Sequence, residues 1–185
     1  MKSYFTHFYE FHQGDWQTFE QLAKTVSVDV HTGKKTVDFN PKKFRREGDF
    51  IISIDEDRLH LCFSEEEVIS IPEGVEAIAT SAFHELLCPN AKHIILSSTV
   101  VGIAQCAIEG HIVEELTINN KYIYISDWAF EHCPTLRMIH HVPAQVTIHV
   151  QEEMGRCARP VRYDAMELSE LEDDDIDYDP SDLPF

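Results

Sequence analysis

Eleven histidines and five cysteines in a chain of 185 residues bring metal binding to mind first. The densest group is His140-His141, with Cys133 before it and His149 after it. Zinc sites draw ligands from spacings such as C-x2-4-C or H-x3-5-H, which this group does not reproduce, and adjacent histidines on a strand point to opposite faces. A structural or surface role is therefore expected for the group, with neither metal nor cofactor. The cysteines, Cys62, Cys88, Cys106, Cys133 and Cys157, are odd in number and hold no close pair in sequence. That argues against a disulfide framework and for a reducing cytoplasm. Cys88 and Cys133 have no His and acid at a recognisable motif spacing, so neither is expected to be a nucleophile. The runs Glu65-Glu66-Glu67 and Glu114-Glu115 offer carboxylates for acid-base work, but consecutive acids beside strands are ordinarily a solvated face. There is no glycine-rich phosphate loop, no G-x-S-x-G elbow and no H-E-x-x-H. No catalytic residue is expected.

The elements that position these side chains follow from a phrase that returns. Val75-Glu-Ala-Ile78-Ala-Thr-Ser-Ala82-Phe83 is followed by Val100-Val-Gly-Ile103-Ala-Gln-Cys-Ala107-Ile108 and by Tyr122-Ile-Tyr-Ile125-Ser-Asp-Trp-Ala129-Phe130. Each is preceded by a short apolar strand phrase: Ile69-Ser-Ile71, Ile94-Ile-Leu96 and Leu116-Thr-Ile118, with Ile139 opening a fourth copy. The steps from Ile69 to Ile94, Leu116 and Ile139 are 25, 22 and 23 residues. That is the period of proteins that stack one supersecondary unit on the next. Because successive strand side chains face opposite ways, Ile69, Ile94, Leu116 and Ile139 are predicted to form one inward ladder. Ala82, Ala107 and Ala129 mark close-packed turns, and Phe83, Ile108 and Phe130 fill the space between layers.

These residues resemble the BspA-type leucine-rich repeat, whose unit runs roughly L-x-x-I-x-I-P-x-S-V-x-x-I-x-x-x-A-F-x-x-C. Ile69-Ser-Ile71-Pro72 through Ala82-Phe83 carries the first half of that unit, and Ala129-Phe130-Glu-His-Cys133-Pro-Thr-Leu136-Arg-Met-Ile139 the second. The middle copies depart from it with Ser97 and Asn119 at the proline position and Ile108 for the phenylalanine. The resemblance implies a mainly β solenoid of about three to four units over residues 66–150, used for binding proteins or other ligands without catalytic machinery.

Ahead of the repeats, residues 1–65 are predicted to form a small α+β module that caps the amino end of the array. Asp15 is placed as the N-cap of a short helix with Trp16, Phe19, Leu22 or Ala23, and Val26 on one face. Val26, Val28 and Val30, then Gly33, then Val37 and Phe39, read as a hairpin. A basic stretch, Lys42 to Arg46, is expected as a loop that pairs with the acidic body or tail. Phe50–Ile54 and Arg58–Phe63 form a second hairpin around Asp55-Glu56-Asp57. Residues 151–165 are expected as an irregular carboxy-terminal cap.

Residues 166–185 are too charged to fold alone and are expected to be a disordered acidic tail. The chain carries a net charge of −18; ten acids and no Lys or Arg fall from Asp164 onward, leaving 23 acids against 15 bases before it. Such a charge repels nucleic-acid backbones and anionic membranes, so neither is expected as a partner. A basic protein is the natural complement. No run approaches about 18 apolar residues, and the first ten residues do not resemble an export signal. The location is therefore expected to be cytoplasmic, the alternative being export by a non-standard route.

The expected function is a protein-interaction module that binds on the strand face of the solenoid. Its contacts would come from the outward ladder positions His93, Ile95, Glu115, Thr117, Met138 and His140, with Val68 and Ser70 at the amino end and with exposed Ile95 and Met138 as the apolar contacts. The alternative is an acidic inhibitor or immunity-type protein that neutralises a basic toxin or nuclease. The oligomeric state is left open.

Overall fold

The computed structural model describes residues 4–109, 113–126, 129–130 and 133–149; for 4–13, 109 and 146–149 it describes the backbone alone. The predicted carboxy-terminal cap, the acidic tail and Cys157 lie outside the described residues.

The repeat region is a mainly β solenoid, and its recurrent strand phrases become parallel strands in register. Val68–Ser70, His93–Leu96, Glu115–Ile118 and Met138–His141 pair side by side, matching Ile69 to Ile94, Ile94 to Leu116 and Leu116 to Ile139. Val146–His149 turns back and closes this five-stranded sheet antiparallel. The second phrase builds another face, with Ala77–Ile78, Gly102–Ile103 and Tyr124–Ile125 in parallel register. A third, two-stranded face joins Phe83–His84 to Ile108–Glu109.

The predicted ladder of Ile69, Ile94, Leu116 and Ile139 is buried, as are Ala82, Ala107, Ala129, Phe83, Ile108 and Phe130, all in one core cluster. Burying such side chains contributes roughly 1.5–3 kcal/mol each, and no single coil has a second surface to bury them against. Stacking is therefore what makes the coils stable. Asn119, in place of the repeat proline, donates its side-chain N–H to Leu96 O in the preceding coil at 2.9 Å. The departure from the repeat pattern supplies a cross-coil bond that a proline cannot make.

The tight turns before Ala82 and Ala107 demand a left-handed residue, and Ser81 (φ 57°) and Cys106 (φ 52°) occupy equivalent places. Ser81 N–H donates to Cys106 O at 2.9 Å, so the turns bond coil to coil.

The amino-terminal module is built onto the same structure. The second hairpin forms as predicted, Phe50–Ser53 against Arg58–Cys62. Arg58–Cys62 also pairs in parallel with Ala77–Ile78, so the sheet runs unbroken from the module into the repeats, six strands wide. The basic stretch differs from expectation. Phe44–Glu47 is the edge strand of that sheet rather than a loop, because Phe44 alternates with Arg45 and turns to the module's core. Its two arginines are held within the module: Arg45 reaches Asp57 at 2.6 Å, and Arg46 lies over the ring of Phe63, 4.9 Å from its centre.

Asp15 is not a helix cap. The helix spans Tyr4–Ala23, because the helical spacing of Trp16, Phe19 and Leu22 continues upstream through Phe5, Phe8 and Tyr9. Asp15 sits within it, buried, with Oδ2 accepting from Arg58 Nη1 at 2.7 Å. Burial pushes the Asp15 carboxyl above its ordinary range, against the attraction of Arg58 and a hydrogen bond from the Thr80 backbone. Phe19 and Leu22 pack on Ile51, Leu61 and Phe63 in a second core. The first hairpin is short, Ser27–Val28 on Lys35–Thr36, with Gly33 at φ 69° in its turn. Val28 and Val30 are exposed, while Val37 is buried and Val26 and Phe39 pack against the second core.

His60 is the extra residue where the pairing of Phe50–Ser53 with Arg58–Cys62 shifts register. It is buried, its ring packs edge-on to Phe44 at 5.6 Å, and Nδ1 has no hydrogen-bond partner among the described residues. Burial first, then Arg58, lowers its pKa to about 4, against a small opposing pull from Asp55. The unfolded chain protonates this group near its ordinary 6.5, so the neutral folded form stabilises fully above that value. The contribution is lost as pH falls from about 6.5 to about 4, a loss of roughly 3 kcal/mol. Urea titrations at pH 7 and pH 4.5 are expected to differ by about 2 kcal/mol more in the native chain than in His60→Gln. An equal difference in both proteins would place the acid sensitivity elsewhere.

Candidate protein-binding face

The five-stranded sheet presents its outward side chains in two rows. Register sets Val68, His93, Glu115 and Met138 in one row and Ser70, Ile95, Thr117 and His140 in the other. All eight residues predicted to bind a partner therefore stand on one face. The alternation that buries Ile94, Leu96, Leu116, Ile118 and Ile139 turns these eight outward.

Polar groups on this face bond diagonally between the rows. His93 Nε2 lies 2.8 Å from Thr117 Oγ1, and His140 Nε2 lies 3.2 Å from Glu115 Oε2. These pairs are 24 and 25 residues apart in sequence, about one coil. The period alone signals that such residues are neighbours, but the sequence reading did not pair them. Beside the face, Lys92 Nζ meets Glu67 Oε1 at 2.8 Å, and that bond raises the Lys92 pKa. The pair is exposed and adds little to stability.

Exposure differs from expectation. Val68 is 53% exposed, but Ile95 and Met138, predicted as exposed apolar contacts, are half-buried. Ile95 stands in register between Ser70 and Thr117, and Met138 beside Glu115, where cross-strand neighbours lie close. The apolar positions are also separated, with Glu115, His93, Thr117 and His140 between them. Such a face suits a mixed polar and apolar contact better than a greasy one.

The two adjacent histidines divide as the strand period requires. His140 faces outward, whereas His141 is buried and its Nε2 lies 2.7 Å from Asn120 O. The side chain of His149 lies outside the described residues. Among the described residues, no three His, Cys, Asp or Glu side chains converge to hold a metal ion. Cys88 and Cys133 are buried, and burial raises the Cys133 thiol to about 11. That suppresses the thiolate a nucleophile needs. No helix among the described residues is long and apolar enough to cross a membrane.

No curated protein and no solved structure matches this chain. The family model of the BspA type leucine rich repeat region matches residues 53–154 in six copies. That span begins at the strand hairpin that joins the module to the first coil and takes in every ladder residue, and on it the chain belongs to the BspA-type leucine-rich repeat family.

Proposed function

We propose that the protein is a non-catalytic interaction module whose five-stranded sheet binds a protein partner. One observation carries this reading: eight outward side chains of mixed polarity are held in register on a single rigid sheet. A sheet stacked over a continuous core offers a preorganised surface, which lowers the cost of association. The same rows give the partner's contacts: Val68, Ile95 and Met138 for apolar groups, and His93, Glu115, Thr117 and His140 for hydrogen bonds.

Charge favours a basic partner. The net charge of −18 attracts cations at long range and repels nucleic acids and anionic membranes. The acidic-inhibitor reading rests on that charge alone and needs no particular face. A cytoplasmic location forms part of the proposal, in keeping with Cys62, Cys88, Cys106 and Cys133 standing as thiols.

Ile95→Asp combined with Met138→Asp is expected to abolish capture of the partner while lowering the melting temperature little, because both side chains belong to the outward rows. The assay compares native and doubly substituted protein as bait in an extract of the source cells, with calorimetry on both. Retained capture would move the site off this sheet. Capture that survives the substitutions but disappears in high salt would favour the acidic-inhibitor reading.

A further inference from the structure

The six-stranded sheet ends in an open edge, on a different sheet from the proposed binding face. Phe44–Glu47 pairs with Phe50–Ser53 on one side and, among the described residues, with no strand on the other. Ile54 N–H donates to Lys43 O at 2.9 Å, and antiparallel bonding alternates from there, so Arg45 and Glu47 bond inward while Phe44 and Arg46 turn their backbone groups outward. Asn40 O accepts the Phe44 N–H at 3.0 Å. The Arg46 N–H and the carbonyls of Phe44 and Arg46 face the open edge.

The edge is also basic. Lys42, Lys43, Arg45 and Arg46 place four of the chain's 15 basic residues within five positions. Lys42, Lys43 and Arg46 are exposed, and among the described residues neither lysine side chain is in an ion pair. Such charge keeps a second copy of the same edge from pairing with it. It selects an acidic strand instead.

We propose that residues 174–178 of this chain, Asp174-Asp-Ile-Asp-Tyr178, add to that edge as an antiparallel strand. With Ile176 opposite Phe44, the register sets Asp174 opposite Arg46, Asp175 opposite Arg45, Asp177 opposite Lys43 and Tyr178 opposite Lys42. Every charged pair is then of opposite sign, which cross-strand neighbours favour. Aspartate is a poor strand former, and so acidic a segment does not fold alone. The edge supplies the backbone partners and the counter-charges that the segment lacks.

The chain is long enough to make the contact. Val146–His149 lies two strands beyond Glu115–Ile118, and Tyr124–Ile125 of that same coil lies five strands from Phe44–Glu47. At roughly 4.8 Å a strand, seven steps are about 35 Å. Residues 150–173 intervene, and extended they span about 80 Å. Tethering gives the segment an effective concentration on the order of 1 mM at the edge.

The test is amide hydrogen exchange of the full chain in low salt, read at Arg46 by NMR. A segment that binds the edge at about 0.1 mM is held there about ten to one when tethered, so Arg46 N–H should exchange about tenfold more slowly in the native chain than in the triple variant Asp174→Asn, Asp175→Asn, Asp177→Asn. About 0.5 M salt should erase the difference. Lys43→Glu should speed the exchange, and adding Asp177→Lys to it should slow it again. The Leu61 N–H, two strands in, serves as control and should not respond. Equal Arg46 rates in the native chain and the triple variant, no recovery in the charge-swapped double variant, or a Leu61 response of the same size would overturn the proposal. Slowing that grows with protein concentration would also overturn it, by assigning the edge to the tail of a second copy.

Discussion

Removing either half of the Asp15–Arg58 pair is expected to cost about 3–5 kcal/mol, as when one partner of a buried ion pair is left alone. Both side chains are almost wholly buried, with Nη1 and Oδ2 2.7 Å apart, so truncation leaves a charge with little access to water. The pair is also the polar tie between the helix and the sheet. Glu56 stands 3.6 Å from Arg58 Nε, but it is far more exposed and cannot replace a buried carboxylate. Asp15→Ala and Arg58→Ala should each lower the urea midpoint strongly, and the double variant should fall little further, since it removes the orphaned charge. Fluorescence of Trp16, one residue from Asp15, reports whether the helix stays docked. Single-variant losses below about 1 kcal/mol would mean that water reaches the pair.

Leu116→Ala is the second large effect, expected to destabilise by about 2–5 kcal/mol. Leu116 is fully buried, and its register neighbours Ile94 and Ile139 stand on hydrogen-bonded strands that resist collapse into the space. Thr117→Ala, one residue on, should cost about 1 kcal/mol or less, because it removes only a half-exposed hydroxyl and its bond to His93. Thermal unfolding of both variants decides the matter. Similar losses would show that the alternation of this strand is reversed.

The period of the repeats was legible because stacking demands it. A coil that buries its apolar face only on the next coil must repeat its spacing, and Ile69, Ile94, Leu116 and Ile139 fall into register for that reason. The side of the sheet that each candidate binding residue occupies was legible for the same reason, since side-chain alternation is a local property of a strand. The half-burial of Ile95 and Met138 and the diagonal bonds of His93 and His140 were not. They depend on how closely neighbouring strands lie, which no single segment encodes. The amino-terminal module shows the same division. Its second hairpin could be read from alternation around an acidic turn, but Asp15 looked like a cap because capping is a local preference of aspartate.

The helix runs through Asp15 because its apolar spacing continues upstream, but what buries Asp15 there is Arg58, 43 positions away in sequence, beside the surface of Ile51, Leu61 and Phe63. The basic stretch likewise became an edge strand only once Phe50–Ser53 was there to pair with it. The sequence by itself determined the period, the inward and outward sets and the charge, because each depends on residue type and spacing along the chain. The tertiary structure alone decided which charges pair and how much of each outward side chain meets water, because those depend on distances between segments far apart in the chain.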